Sequence, residues 1–304
     1  MSLFIQGMRR SGTTILFDAL LEDPALTVFY EPLREQDVSV GGGSGARDID
    51  TFAQTREQRE RFRRERYPDV PIEDFNWGGP RDPGLELEPD LPPHCRDLLS
   101  YLVSQAPAVA IKETRLAAKV GSLAAIDPDA RLVHLVRDPR AVVASTMLGR
   151  GRRHLDRFPD ADAFFSARTK RKLWSSRAIS ERILAQPQYA RLRRVPDHLR
   201  VLVVWKHCFE ATHGDGARTL DERYLLLRHE DLAADPAAAL ARVYGLSGGA
   251  LPAAVAKWAT ANVRTPAAIP FGDDPRWGQA AERIGLAEAI GAAGYTDLAA
   301  TLKA

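Results

Sequence analysis

Short apolar runs, separated by longer stretches with a helical period, organise the first half of the chain. Four runs are bounded by glycine, proline or charged residues, and they predict strands over 3–6, 26–30, 108–111 and 131–136. Helical patterns lie between them and predict helices over 51–67, 96–105 and 116–125, with an earlier helix that opens at Thr13. The helix over 51–67 is rich in arginine and glutamate, so we expect it to be solvated.

This alternation of strands and helices predicts an α/β fold. Right-handed βαβ crossovers would build a mainly parallel central sheet flanked by helices, in three layers. The chain has 304 residues, and we expect a single domain over 1–304 because that length suffices for one large core. Two stretches stand apart: a proline- and glycine-rich excursion over 34–93 and a basic helical segment over 150–200. Residues 34–50 are interpreted either as a flexible connector or as a lid over a substrate, and both stretches are candidate acceptor-side or lid elements.

Charged residues follow the end of each of these four strands. They are Arg10, Glu31, Lys112 and Arg137, three cations and one carboxylate. Ligands of parallel α/β sheets bind at the carboxyl ends of the strands, so these side chains are expected to meet at one edge. A single case could be an ordinary solvated loop residue, but four together favour a site for an anion.

The loop after the first strand has the composition of an anion cradle. Gly7 and Gly12 stand five positions apart, and Thr13 and Thr14 open a helix whose free N–H groups face the loop. The spacing resembles a Walker A loop, which makes the expected fold P-loop-like. Thr13, however, stands where that motif needs its lysine, and this counts against ATP or GTP turnover. A plain glycine turn between a core strand and a core helix is the alternative interpretation.

A second motif follows the fourth strand. Arg137 ends that strand, Asp138 is a candidate N-cap and Pro139 suits the first helical position. Ser145 lies seven residues after Asp138, on the same face of the new helix as this cap. Arg137 and Ser145 could therefore share one phosphate. Asp138 could instead be a Walker B magnesium ligand, but Pro139 makes the N-cap the simpler interpretation.

Composition sets broad limits. The chain is 45% hydrophobic and 27% charged, with a net charge of only +2, so the total charge predicts no general affinity for polyanions. Cys95 and Cys208 have no spacing typical of a zinc site or a disulfide framework, which suits a reducing compartment. No apolar run approaches the roughly 20 residues of a membrane span and the first strand leaves no room for a signal peptide, so we expect a cytoplasmic protein.

Together the two motifs resemble those of sulfotransferases. Residues 10–14, RSGTT, resemble the loop that grips the 5′-phosphosulfate of 3′-phosphoadenosine 5′-phosphosulfate (PAPS), and residues 132–145 resemble the segment that holds its 3′-phosphate. Residues 29–33, 224–232 and 294–295 are similar to segments of the carbohydrate sulfotransferases. The resemblance implies PAPS as co-substrate, 3′-phosphoadenosine 5′-phosphate as product and no required metal. The donor-binding residues it implies are Arg9, Arg10, Ser11, Gly12, Thr13, Thr14, Arg137 and Ser145.

The same resemblance implies a catalytic group. Glu31 follows the second threonine by 17 residues, the interval of the catalytic glutamate in tyrosylprotein sulfotransferases, and is the leading candidate for the general base. Arg10 and Lys112 would stabilise the leaving oxygen and the transferring group. Glu113 is a rival base, because this chain lacks the histidine that cytosolic sulfotransferases carry in that region.

The acceptor is harder to infer. The segment 150–200 holds 14 Lys and Arg against five acids, which suits an anionic acceptor, a peripheral membrane contact, steering of the donor or simply solvated helices. Aromatic residues are too sparse there for nucleic-acid binding. We therefore expect a hydroxyl-bearing acceptor, glycan-like or another small molecule. A P-loop phosphotransferase and a non-catalytic anion-binding protein of the same fold are the alternatives.

Overall fold

The computed structural model describes residues 1–33, 49–71, 86–149, 152, 154–168, 176–192 and 194–301. The strands of the described chain are β1 Ser2–Gln6, β2 Thr27–Tyr30, β3 Val109–Glu113, β4 Arg131–Val136 and β5 Tyr224–Arg228. The four strands predicted from the hydrophobic pattern are all present, and each boundary falls within two residues of its expected position. The segment 224–232 also supplies a strand, followed directly by a helix.

These strands form one sheet in the order β2-β3-β1-β4-β5, and every neighbouring pair is parallel. β1 lies in the centre, where Gln6 pairs with Glu113 of β3 and with His134 of β4. Tyr30 of β2 pairs with Lys112, and Val136 of β4 pairs with Arg228. The carboxyl ends of all five strands therefore lie along one edge, and the parallel α/β fold is confirmed.

Helices cover both faces of this sheet. In chain order they are α1 Thr13–Leu20, α2 Ile49–Arg66, α3 Pro93–Val103, α4 Leu123–Ile126, α5 Pro139–Leu148, α6 Ala161–Ser166, α7 Ser176–Leu184, α8 Asp197–Thr219, α9 His229–Ala234, α10 Pro236–Gly245, α11 Ala253–Asn262, α12 Arg276–Ile284, α13 Ala287–Ala292 and α14 Thr296–Thr301. None of the helices in the described residues is both long enough and apolar enough to cross a membrane.

Alternate residues of β1 divide the core into layers. Leu3 and Ile5 pack with α1, α10 and α11 on one face, whereas Phe4 packs with α3 and α4 on the other. A third cluster joins α5 to α8 and the C-terminal helices α12 to α14. In this third cluster lie Phe164 and Phe165, two of the few aromatics in the basic segment, so these rings are core residues.

Two predicted helices differ from expectation. The stretch 116–125 is helical only from Val120, as a 3₁₀ turn and then α4. Before that turn, Leu116 N–H donates to Gln6 Oε1 at 3.1 Å and the side chain of Lys119 donates to the Glu88 carbonyl. The prediction of one continuous helix there was wrong. The helix over 51–67 is present as α2, but it is not simply solvated, since Phe62 is buried in the core. Residues 34–48 and 72–85 of the excursion lie outside the described residues.

Candidate functional site

The loop between β1 and α1 crosses the middle of the sheet edge and is packed too closely for side chains at two of its glycines. A Cβ on Gly7 would lie 2.4 Å from the carbonyl oxygen of Leu135. Gly12 has a φ of +94°, and a Cβ there would lie 2.0 Å from Cδ2 of His229. Both glycines are therefore required by the backbone path, as their spacing indicated.

This loop leads from the carboxyl end of β1 into the first turn of α1. Ser11 N–H donates to the Met8 carbonyl at 3.0 Å, which closes the turn before Gly12 caps the helix. Ser11 Oγ is buried and has no hydrogen-bond partner within the described residues. A buried hydroxyl without a partner is costly in a protein alone, so it suits a site that an anion completes.

On the β4 side of the loop, two arginines and a serine come together. Arg10 Nε donates to Ser145 Oγ at 2.8 Å, and Arg137 Nη1 donates to the carbonyl oxygen of Arg10 at 3.3 Å. Trp205 Nε1 donates to the Arg137 carbonyl at 3.0 Å and fixes the backbone where β4 ends. Burial lowers the pKa of Arg137, although an arginine keeps its proton at neutral pH. Its Nε is buried with no acceptor among the described residues, so a cation is available to an anion at this place.

Asp138 caps the helix that carries Ser145. Its Oδ1 accepts the backbone N–H of Arg140 at 2.8 Å, and its Oδ2 lies 2.9 Å from the Arg140 guanidinium. Its own N–H donates to Glu230 Oε1 at 3.1 Å, while the hydroxyl of Tyr295 donates to Glu230 Oε2 at 2.6 Å. Asp138 is thus occupied as an N-cap, which agrees with the simpler of its two interpretations.

On the β3 side of the loop, Glu31 and Lys112 form an ion pair. Lys112 is almost completely buried, and its Nζ lies 4.3 Å from the centre of the Tyr30 ring. The Tyr30 hydroxyl in turn lies 3.3 Å from Thr14 Oγ1, in the first turn of α1. The carboxylate and the ammonium predicted to act together are therefore in contact, and Tyr30 connects Lys112 to the first turn of α1.

The two neighbouring arginines of the loop point to opposite sides. Arg10 reaches Ser145, whereas Arg9 Nε donates to Thr114 Oγ1 at 3.4 Å, immediately beyond β3. Burial lowers the pKa of Arg9 to about 10, and the charge of Arg115 lowers it further, while nearby acids that include Glu31 oppose the change. Of the two loop arginines, Arg9 therefore lies on the side of β3 and Arg10 on the side of β4.

Glu113, the other carboxylate considered as a base, is fully buried. Its Oε1 accepts the N–H of Leu33 at 2.8 Å, and its Oε2 accepts the N–H of Thr114 at 3.0 Å. Burial raises the pKa of Glu113, and the charge of Glu31 raises it further. Both oxygens are engaged by backbone groups, which leaves Glu31 as the carboxylate at the surface of the site.

Sequence reasoning did not assign three side chains that the structure brings to this edge: His229, Trp205 and Tyr30. His229 opens α9 directly after β5 and packs on Gly12. A charged or aromatic residue at a strand end was the available signal for His229 and Tyr30. Trp205 lies in the middle of α8 and had no such signal.

More than half of the chain matches a known protein family. A family model described as "Sulfotransferase family" matches residues 2–184. No curated protein sequence matches the chain at a significant level.

Solved structures similar to this chain include three sulfotransferases. One from Mycobacterium avium is 18% identical, with 86% of this chain and 67% of the Mycobacterium avium chain aligned and a TM-score of 0.44. One from Alicyclobacillus acidocaldarius is 17% identical, with 93% of each chain covered and a TM-score of 0.42. A mouse sulfotransferase complexed with PAP is 13% identical, covers 99% of this chain and 88% of its own, and has a TM-score of 0.43.

Proposed function

The chain belongs to the sulfotransferase family, and on that premise we propose that it transfers a sulfuryl group from PAPS to a hydroxyl acceptor. The proposal rests on the way the sheet edge divides its charged side chains. Arg10, Arg137 and Ser145 form a cationic half at β1 and β4. Glu31 and Lys112 form an ion-paired half at β2 and β3, and the loop before α1 lies between the two.

The cationic half suits the donor. Arg137 and Ser145 would hold the 3′-phosphate, because one offers a charge-assisted donor and the other a hydroxyl. Ser11, Gly12, Thr13 and Thr14 would hold the 5′-phosphosulfate at the N-terminus of α1. Ser11 Oγ and Arg137 Nε, both buried without partners in the described part of the chain, fit a site designed for an anion.

The ion-paired half suits the chemistry. We assign Glu31 as the general base that takes the proton of the acceptor hydroxyl while the acceptor oxygen bonds to sulfur. The bond between sulfur and the bridging phosphate oxygen then breaks, and its electron pair stays on 3′-phosphoadenosine 5′-phosphate. Lys112 and Arg9 would stabilise the charge on the transferring group, and Arg10 that on the leaving phosphate.

A phosphotransferase fits the same residues less well. The side chain of Thr13 is buried where a nucleotide hydrolase carries its lysine, and the carboxylate of Asp138 is engaged by Arg140. Neither residue offers what binding of a γ-phosphate with magnesium requires. The sulfuryl donor, with its phosphates held by arginines, is therefore the better match.

Two measurements test this function. In a thermal shift assay, 3′-phosphoadenosine 5′-phosphate should raise the Tm, whereas ATP with magnesium should not. Sulfur-35-labelled PAPS, incubated with sugars, phenols, peptides and lipids, should give a labelled product with at least one class. A rise in Tm with ATP and magnesium but not with 3′-phosphoadenosine 5′-phosphate would overturn the assignment in favour of a phosphotransferase. A rise in Tm with 3′-phosphoadenosine 5′-phosphate, but no transfer to any acceptor, would favour a binding protein.

A further inference from the structure

Glu113 lies behind Glu31 and contacts the backbone on both sides of the ion-paired half. Its carboxylate is fully buried at the end of β3, and each oxygen accepts one backbone N–H. One N–H belongs to Leu33, two residues after Glu31, and the other belongs to Thr114. A single side chain therefore joins the segment that leaves β2 to the segment that leaves β3.

The backbone of Glu31 needs such support. Glu31 has a φ of +45°, a left-handed conformation that residues with a Cβ rarely adopt. Such conformations persist where surrounding contacts hold them. On one side the N–H of Glu31 donates to the Lys112 carbonyl at 2.7 Å, and on the other side the N–H of Leu33 donates to Glu113 at 2.8 Å. Glu31 is thus held between two consecutive residues of β3.

We propose that Glu113 is a positioning residue that holds the Glu31 carboxylate against Lys112 and directs it toward the acceptor. This inference rests on the proposed function. Glu113 takes no proton from the acceptor itself, since both of its oxygens are occupied and buried. Burial and the charge of Glu31 raise the pKa of Glu113, whereas the Leu33 N–H and the charges of Arg115 and Lys112 favour its ionised form. Its role is to fix the geometry of another residue.

Glu113→Gln is the informative substitution because it keeps the shape and replaces one acceptor by a donor. A glutamine amide can accept only one of the two N–H groups, so Leu33 or Thr114 loses its partner. A displacement of about 1 Å at a catalytic group can cost roughly 100-fold in rate, so we expect kcat to fall about 10- to 100-fold. Affinity for 3′-phosphoadenosine 5′-phosphate should stay within about threefold of wild type, because Glu113 contacts none of the residues assigned to the donor.

A double-mutant cycle separates positioning from an independent catalytic role. If Glu113 acts only through Glu31, the variant Glu31→Gln with Glu113→Gln should be no slower than Glu31→Gln alone. A further 10-fold loss on that background would overturn the inference, as would a Glu113→Gln variant with wild-type kcat. Asp23→Asn is the matched control, since Asp23 is a buried carboxylate before β2 that accepts the Ala25 N–H at 3.0 Å and the Tyr244 hydroxyl at 2.8 Å, and its kcat should not change.

The hydrogen bond from the Leu33 N–H to Glu113 is the tether between the two segments, and hydrogen exchange at the Leu33 amide tests it without a turnover measurement. In protein labelled with ¹⁵N-leucine, this amide should be protected in wild type and exchange faster in Glu113→Gln. Equal protection in both proteins would show that the tether is unimportant. If Glu113→Gln fails to fold, Glu113→Asp, which keeps the charge but shortens the reach, should show the same losses. Absence of sulfuryl transfer by the wild-type protein would contradict the proposed function. The exchange rate of the Leu33 amide would still show whether Glu113 holds this segment.

Discussion

Arg10 and Ser145 lie 135 residues apart in the chain, and Arg10 Nε donates a 2.8 Å hydrogen bond to Ser145 Oγ. This bond joins the loop after β1 to the helix after β4. The arginine that precedes SGTT therefore faces the 3′-phosphate half of the predicted donor site. Arg9 faces the other half.

The donor half can be tested by truncating its two 3′-phosphate ligands separately. Arg137→Ala should weaken the binding of 3′-phosphoadenosine 5′-phosphate by about 1.5 to 3 kcal/mol, and Ser145→Ala by about 0.5 to 1.5 kcal/mol, because the arginine supplies charge as well as a donor. Calorimetric titration should show smaller losses for adenosine 5′-phosphate, which lacks the 3′-phosphate. Equal losses for both ligands would refute the assignment. Arg218→Ala, an exposed arginine paired with Asp215, is the control.

The general base can be tested by Glu31→Gln, which keeps the shape of the side chain and removes its basicity. We expect kcat to fall roughly 10²- to 10⁴-fold, with nearly unchanged affinity for 3′-phosphoadenosine 5′-phosphate, because the base acts on the acceptor. Steady-state transfer from labelled PAPS measures the first quantity and calorimetry the second. Glu22→Gln is the control, because Glu22 is exposed, and this variant should behave as wild type. Full activity of Glu31→Gln would mean that another residue takes the proton.

The contact between Gly12 and His229 predicts a strong effect of a single methyl group. Gly12→Ala forces a Cβ into a left-handed backbone and against the imidazole of His229, so we expect a lower Tm and at least a tenfold loss of affinity for 3′-phosphoadenosine 5′-phosphate. Gly121→Ala is the matched control, because a Cβ there meets no atom within 4 Å. Adding His229→Ala to Gly12→Ala should recover part of the Tm. No recovery would show that backbone strain alone is responsible.

Buried histidines predict that the protein loses stability in mild acid. Burial lowers the pKa of His134 to about 3, and burial lowers the pKa of His198 and His229 to about 4. Each of these histidines binds a proton more readily in the unfolded chain, where its pKa is about 6.5. Stability is therefore full above about pH 6.5 and falls as the pH drops toward 4, by up to about 1.4 kcal/mol per pH unit for each histidine.

Urea unfolding at a series of pH values measures this effect. The midpoint should fall steadily between pH 6.5 and pH 4.5 in wild type. His134→Phe should show a flatter dependence over the same range, because one of the groups that takes up a proton on unfolding is gone. His134 also contacts the Tyr224 hydroxyl at 2.9 Å, so the variant should be less stable at pH 7. Parallel pH curves for the two proteins would remove His134 from the explanation.

The elements of the sheet could be predicted from local pattern. A strand such as Arg131–Val136 is defined by its own apolar run, and an N-cap such as Asp138 by the proline that follows it. Parallel strands place their carboxyl ends at one edge, so the meeting of Glu31 with Lys112 could also be predicted. The spacing of Gly7 and Gly12 predicted a tight loop, and a Cβ at either position would clash with neighbouring atoms.

Other features depend on residues that are distant in the chain, and only the tertiary structure decided them. Arg9 and Arg10 are identical in chemistry and adjacent in sequence, yet a loop backbone with a φ of +76° at Arg10 sends them to opposite sides. Glu31 was the leading candidate base and Glu113 its rival, and only the tertiary structure shows that Glu113 is buried and bound to the Leu33 N–H. The sequence determined which groups reach the edge because strand ends are local features. Their directions follow from contacts between separate segments, which no local period encodes.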